Sequence, residues 1–221
     1  LVSNFEKTQL PTGWGVEQQI TCVDGSTFQM YMANMKSIFM DMIKNTDMVI
    51  FNRCKKEDPL PTYRRGIKVA NQRAEVIFED EEGELGDIFQ DEMPFDMNAP
   101  VIEILPEDYG IWFVDAMDHP ENYEGKTVKF KARVMKPRGM GSKFFVPGRT
   151  AMTCCADDTT FLGYVCKSAY APKLTPGEWV EVTAKVGIEK RNEYQGEEGI
   201  VLAAEHVEQC DPLEDEMVYF N

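Results

Sequence analysis

The segment Thr127 to Met135 constrains this chain more than any other. Val128, Phe130, Ala132 and Val134 alternate with Lys129, Lys131 and Arg133 without a break. Successive strand residues point to opposite faces, so a period of two describes a strand with one dry face and one wet face. A dry face of that length needs other strands to cover it. The sequence supplies them at 144–152, 160–167, 179–188 and 199–207, separated by turn-forming runs that include Gly139, Gly141 and Asp157-Asp158. Ahead of the first strand, Trp112, Phe113, Ala116 and Met117 keep helical spacing. Asp118-His119-Pro120 ends that helix, because proline has no amide hydrogen to continue it.

Five short strands behind one short helix point to a closed or partly closed barrel, since closure removes the edges that an open sheet leaves unpaired. The oligonucleotide-binding (OB) type of barrel is the expected topology, with a small sandwich as the alternative. Such a fold by itself names no ligand.

The first 105 residues read differently. Gln18 to Cys22 suits a short strand, and Val23-Asp24-Gly25-Ser26 reads as a hairpin turn because Asp-Gly adopts that backbone readily. Met35, Ile38, Phe39, Met42 and Ile43 recur at steps of three and four, which predicts a helix of about 12 residues with this face in the core. The methionines there fit irregular core space better than a soft-metal site. Met48 to Phe51 continues as a strand. Pro59 and Pro61 break the chain, Ile67 to Val69 and Ala74 to Phe78 resemble strands, and Glu79 to Glu84 makes an acidic turn. That turn lacks the alternating ligands of a calcium loop. Pro94, Pro100 and Pro106 mark a linker. The expected organisation is therefore α+β overall, mainly β with minor helix: a small α+β domain over 1–105 and an OB-like barrel domain over 106–221.

Charge narrows the partners. Lys and Arg number 23 against 38 Asp and Glu, a formal charge of -15. That surplus repels a phosphate backbone, so nucleic acid is not an expected partner. One stretch runs against the trend: Lys126 to Arg149 holds eight basic residues and no acidic one. It reads either as a solvated hairpin face or as a local site for an anion or lipid headgroup. No run of 18 apolar residues spans a membrane. The chain opens on Leu1, and a signal peptide or anchor ahead of it is the expectation.

Chemistry concentrates between Arg149 and Asp158. Cys154 and Cys155 are too close to bond each other, since neighbouring Cα atoms lie about 3.8 Å apart. They share one side only where the strand bulges or ends. Should both thiols and Asp157 meet, they make a zinc-binding set that Cys166, His119 or His206 completes. Structural thiols and a redox pair are the competing readings. Acidic neighbours oppose a thiolate nucleophile unless Arg149 or Lys167 approaches. His119 and His206 read as structural, and two histidines leave little material for general-base chemistry. No nucleophile elbow or dinucleotide fingerprint occurs, and Gly139 to Lys143 has the wrong spacing for a phosphate loop. No catalytic residue is assigned, and an enzyme is the less favoured reading.

The runs Asn122-Tyr123-Glu124-Gly125-Lys126-Thr127-Val128, Arg149 to Asp158 with its double cysteine, and Gly177-Glu178-Trp179-Val180-Glu181-Val182 resemble the bacterial domain-of-unknown-function 1980 family. The resemblance covers about Gly110 to Tyr219, and Gly163 matches a family glycine. It implies an extracytoplasmic or membrane-associated protein with a hydrophobic N-terminal region, often encoded beside a predicted permease. It marks Arg149, Cys154, Cys155 and Asp157, with Tyr123, Lys126 and Asp158 as further candidates. Asp158 stands where a small residue is expected, and Cys166 is an additional thiol. The function expected from all this is a non-enzymatic, envelope-associated accessory or binding module that partners a membrane transport protein. The alternatives are a thiol and carboxylate protein that binds or delivers zinc, and a thiol-redox enzyme.

Overall fold

The computed structural model describes residues 10–86, 93–155 and 158–218, with Cys154 and Cys155 as backbone only. The chain divides into two compact units, Leu1–Asp91 with Thr153–Asp158, and Glu92–Met152 with Thr159–Asn221. Among the described residues, no helix is long and apolar enough to cross a membrane.

In the first unit strands and helices alternate: β1 (Ile20–Asp24), α1 (Gly25–Ile43), β2 (Met48–Asn52), α2 (Leu60–Ala70) and β3 (Glu75–Phe78). The strands form a parallel sheet in the order β1-β2-β3. Val23, Val49, Phe51 and Phe78 share one core with Phe28, Met40 and Ile43 of α1 and Leu60, Tyr63 and Ile67 of α2. Phe28 sits at its centre, edge-on to Phe51 at 4.9 Å and Tyr63 at 4.5 Å. Such edge-to-face pairs add to what area burial alone provides.

Three expectations fail in this unit. Residues 23–26 are no hairpin turn: Asp24 caps α1, accepting from the Ser26 amide at 3.0 Å and its hydroxyl at 2.6 Å. Aspartate followed by glycine also suits a helix start, and parallel strands need a crossover rather than a tight turn. The helix runs 19 residues with a kink at Met35, and its outer side carries Ile38 at 63% exposure and Met42 at 50%. The expected core face is therefore rotated toward Phe28, Met40 and Ile43. Finally, Ile67 to Val69 belongs to α2. Pro59 and Pro61 sit at its start, where a missing amide hydrogen costs nothing, and Leu60, Tyr63 and Ile67 form its buried stripe.

The second unit holds β4 (Ile102–Glu103), α3 (Tyr109–Asp118), β5 (Thr127–Met135), β6 (Phe144–Cys155) up to Met152, β7 (Asp158–Gly163) from Thr159, β8 (Val165–Lys167), β9 (Trp179–Lys190), β10 (Glu198–Gln209) and β11 (Met217–Val218). β5 pairs antiparallel with β6 and β9, β9 with β10, and β6 with β8, while β8 and β10 run parallel. These pairings close a five-stranded ring, the OB-type barrel expected. The strand expected over 160–167 is interrupted at Tyr164, so β7 and β8 divide it.

Val128, Phe130, Ala132 and Val134 face the interior as their alternation requires, opposite Val180, Val182 and Ala184 of β9. α3 adds Trp112, whose ring lies 4.8 Å from Phe130 and 5.6 Å from Tyr164. β6 and β7 approach so closely at Gly148 and Gly163 that a side-chain carbon on Gly163 would sit 2.6 Å from the Pro147 carbonyl. Only glycine permits that approach.

Candidate functional site

The described residues include only part of the set that the sequence singles out. Cys154 and Cys155 end β6, but their side chains and Asp157 lie outside the described residues. Asp158 opens β7, and its carbonyl accepts from the Thr153 hydroxyl. Cys166 is fully buried in β8, and burial pushes its thiol up to about 12. A thiolate there would lack solvation, which argues against easy metal ligation. Among the described residues no three His, Cys, Asp or Glu side chains come together around a possible metal position. His119 caps α3 3.9 Å from Glu121, and His206 lies exposed on β10 3.5 Å from Glu208.

Arg149 and Tyr123 hold the barrel together. Arg149 is buried; its guanidinium donates to the carbonyls of Pro106, Asp215 (3.1 Å) and Met217 (3.0 Å), beneath the Tyr109 ring. Desolvation lowers its pKa. Tyr123 donates its hydroxyl to the Asp115 carboxylate at 2.6 Å, and burial first, then Asp115, pushes the phenol upward. In the same turn Gly125 takes φ +78° and donates its amide to Val186, whose own amide donates to Lys126. The Tyr-x-Gly-Lys run is thus the corner that registers β5 against β9.

The basic run is dispersed in the same way. Lys129 pairs with Glu181 at 3.1 Å, Arg133 donates to the Gly177 carbonyl, and Lys136 reaches the carbonyls of Ala171 and Leu174 at 2.6 Å each. Arg138 differs. It stands in the β5–β6 loop beside a cleft of about 600 Å³ whose opposite wall is the end of β9 and the start of the β9–β10 loop. Pro137, Met140 and Phe144 line it together with Lys190, Arg191, Asn192 and Glu193. The Arg191 guanidinium lies 4.3 Å over the Phe144 ring and is held by Glu193 through two contacts of 2.9 and 3.1 Å. That carboxylate also raises the Arg191 pKa. Arg138 and Lys190 make no ion pair among the described residues.

The β9–β10 loop is fixed from below. Tyr194 donates its hydroxyl to the Ile200 carbonyl and accepts from the Val165 amide, and its ring lies against Gly199. Residues fifty positions apart meet here only because the barrel closes, which is why sequence reading missed the cleft. Its one sequence signal is the β5–β6 loop, where Arg138, Gly139, Gly141 and Lys143 fall close together.

Polar groups also gather at the carboxyl ends of β1 and β2. Asp24 and Asn52 are register partners, Arg53 adopts φ +54° and pairs with Asp24 at 2.9 Å, and the buried Asn52 Oδ1 accepts no hydrogen bond. Carboxyl ends of parallel strands are where open α/β sheets take ligands. Reading 23–26 as a hairpin turn hid this edge.

Comparison with known proteins adds a family. Residues 84–220 match the DUF1980 C-terminal domain. No curated protein matches the chain. Among solved structures the chain is similar to the mitochondrial single-stranded DNA binding protein Rim1 of S. cerevisiae, at 10% identity over 39% of this chain and 95% of that one, with a TM-score of 0.24. It is also similar to the aspartyl-tRNA synthetase of Entamoeba histolytica, at 15% identity over 48% of this chain and 22% of that one, with a TM-score of 0.27. Likenesses of this size carry no argument about function.

Proposed function

Since the chain belongs to the family of the DUF1980 C-terminal domain, we propose that it is a non-enzymatic binding module that serves a membrane transport protein of the cell envelope through the rim of its barrel. One observation supports the rim as the working surface: an open cleft lined by Pro137, Met140 and Phe144 and by two cations, Arg138 and Lys190, that make no ion pair among the described residues. Loops at this position are where OB-type barrels recognise their ligands. The envelope setting and the transport partner rest on the family resemblance alone.

A photocrosslinking amino acid placed at Met140, in cells that make the full protein, tests the reading. The expected product is a covalent adduct with an integral membrane transport protein, formed at position 140 and not at Lys185 on the outside of β9. Equal labelling at both positions, or adducts with soluble proteins alone, would reject it. Metal content of the purified chain is a separate check. Stoichiometric zinc lost in both Cys154→Ala and Cys155→Ala would favour the metal-delivery alternative instead.

A further inference from the structure

We propose that the rim cleft is a binding site for a compact phosphate-bearing anion, with Arg138 and Lys190 as its phosphate ligands. The inference rests on the rim being the working surface and adds the chemistry of what enters it.

The cations of this unit divide into spent and unspent. Lys129, Arg133, Lys136, Arg149 and Arg191 each satisfy a carboxylate or a set of carbonyls within the fold. Arg138, in the β5–β6 loop, and Lys190, at the end of β9, make no ion pair among the described residues, and of the cations left so they are the two that border the cleft. Two positive charges that border one cleft and make no ion pair of their own repel, and an anion between them offsets that repulsion. Arginine offers a planar fork of donors and lysine a point charge, a pairing suited to phosphate oxygens.

The cleft also limits what the anion is attached to. Arg191 is stacked on Phe144 and fixed at its edge by Glu193, so a flat, rigid guanidinium lies at the wall. Planar groups stack on such surfaces. A volume of about 600 Å³ has room for a body the size of a nucleotide. Glu189, Glu197 and Glu198 lie exposed on the neighbouring strand ends and loop, and the whole chain carries -15. Glu193 also lines the cleft, where it is engaged by Arg191, and Glu198 is the register partner of Lys190. A long polyanion would meet all of these carboxylates, whereas a compact anion meets the fewest. The same chemistry occurs in a free nucleotide phosphate and in a lipid headgroup.

Isothermal titration of the full chain with inorganic phosphate and with adenosine monophosphate, beside co-sedimentation with phosphatidylglycerol vesicles, separates the two sources. Binding in either arm that weakens at least tenfold in Arg138→Glu/Lys190→Glu, but stays unchanged in Lys185→Glu, is the expected result. Glu193→Gln, which frees the charge of Arg191, is expected to tighten the same interaction several-fold. Absence of binding in both arms, or binding that the double variant leaves intact, overturns the proposal. The crosslinking result at Met140 is read independently. Adducts without phosphate binding would end this inference and leave the rim as a partner surface.

Discussion

Replacing Gly163 with alanine tests how the barrel wall is built. The new carbon would lie 2.6 Å from the Pro147 carbonyl oxygen, 2.8 Å from a Val146 methyl and 3.0 Å from the Gly148 Cα. Two of those neighbours are backbone, so no side-chain rotation relieves the clash, and β6 and β7 have to separate. Forcing extra volume into a packed site costs about 1 to 3 kcal/mol, and the backbone neighbours place this change toward the upper end. For a unit of this size such a loss lowers the melting temperature by roughly 6 to 15 °C. Tryptophan fluorescence reads it directly, because Trp112 and Trp179 are buried in the barrel unit while Trp14 is exposed. Gly66→Ala in α2 is the control: nothing lies within 4 Å of its added carbon, so the first unit is expected to gain up to about 1 kcal/mol from helix propensity. A Gly163→Ala protein that melts within about 2 °C of the parent would refute the close-approach argument.

Other consequences can be checked on the same protein. Arg149→Lys leaves one ammonium facing three carbonyls and is expected to cost about 1 to 3 kcal/mol in a urea melt of the barrel. Lys136→Met removes both contacts to Ala171 and Leu174 and is expected to speed amide exchange across 171–174, with little change in the first unit. With Ellman's reagent at pH 8, Cys22 is expected to react in the folded protein and Cys166 only on unfolding. Because the Cys166 thiol is raised from 9.0 to about 12 in the folded state, its protonated form favours folding. That contribution is whole below pH 9 and fades as pH climbs toward 12, so Cys166→Val is expected to flatten the alkaline loss of stability.

Legibility of this fold in its sequence followed the strength of the period. β5 could be read to the residue because four apolar positions alternate with three cations, and the remaining barrel strands follow from similar patterns and turn residues. α2 was misread because Ile67 and Val69 favour strands locally, whereas Leu60, Tyr63 and Ile67 pack as one helical stripe. Asp24-Gly25 suits a hairpin and a helix cap equally, and only the parallel partner β2 decides between them. Arg149 and Tyr123, which the family resemblance marks, both make hydrogen bonds inside the barrel unit that no local sequence pattern announces. The cleft depends on two loops that no local pattern connects.

The parallel pairing of β8 with β10 has a consequence for the order in which the protein is made. Val165 to Lys167 leave the ribosome well before their partners Val201 to Ala203, and the carbonyls of Asp215 and Met217 that engage Arg149 come later still. The first unit contains its own neighbouring strand partners and can settle early. Until β10 emerges, β8 and β9 lack the strand that joins them, and unpaired edges of this kind are the ones most exposed to wrong pairing. A nonsense mutation shortly before Glu198 would therefore leave a chain that contains most of the barrel's residues and none of its closure.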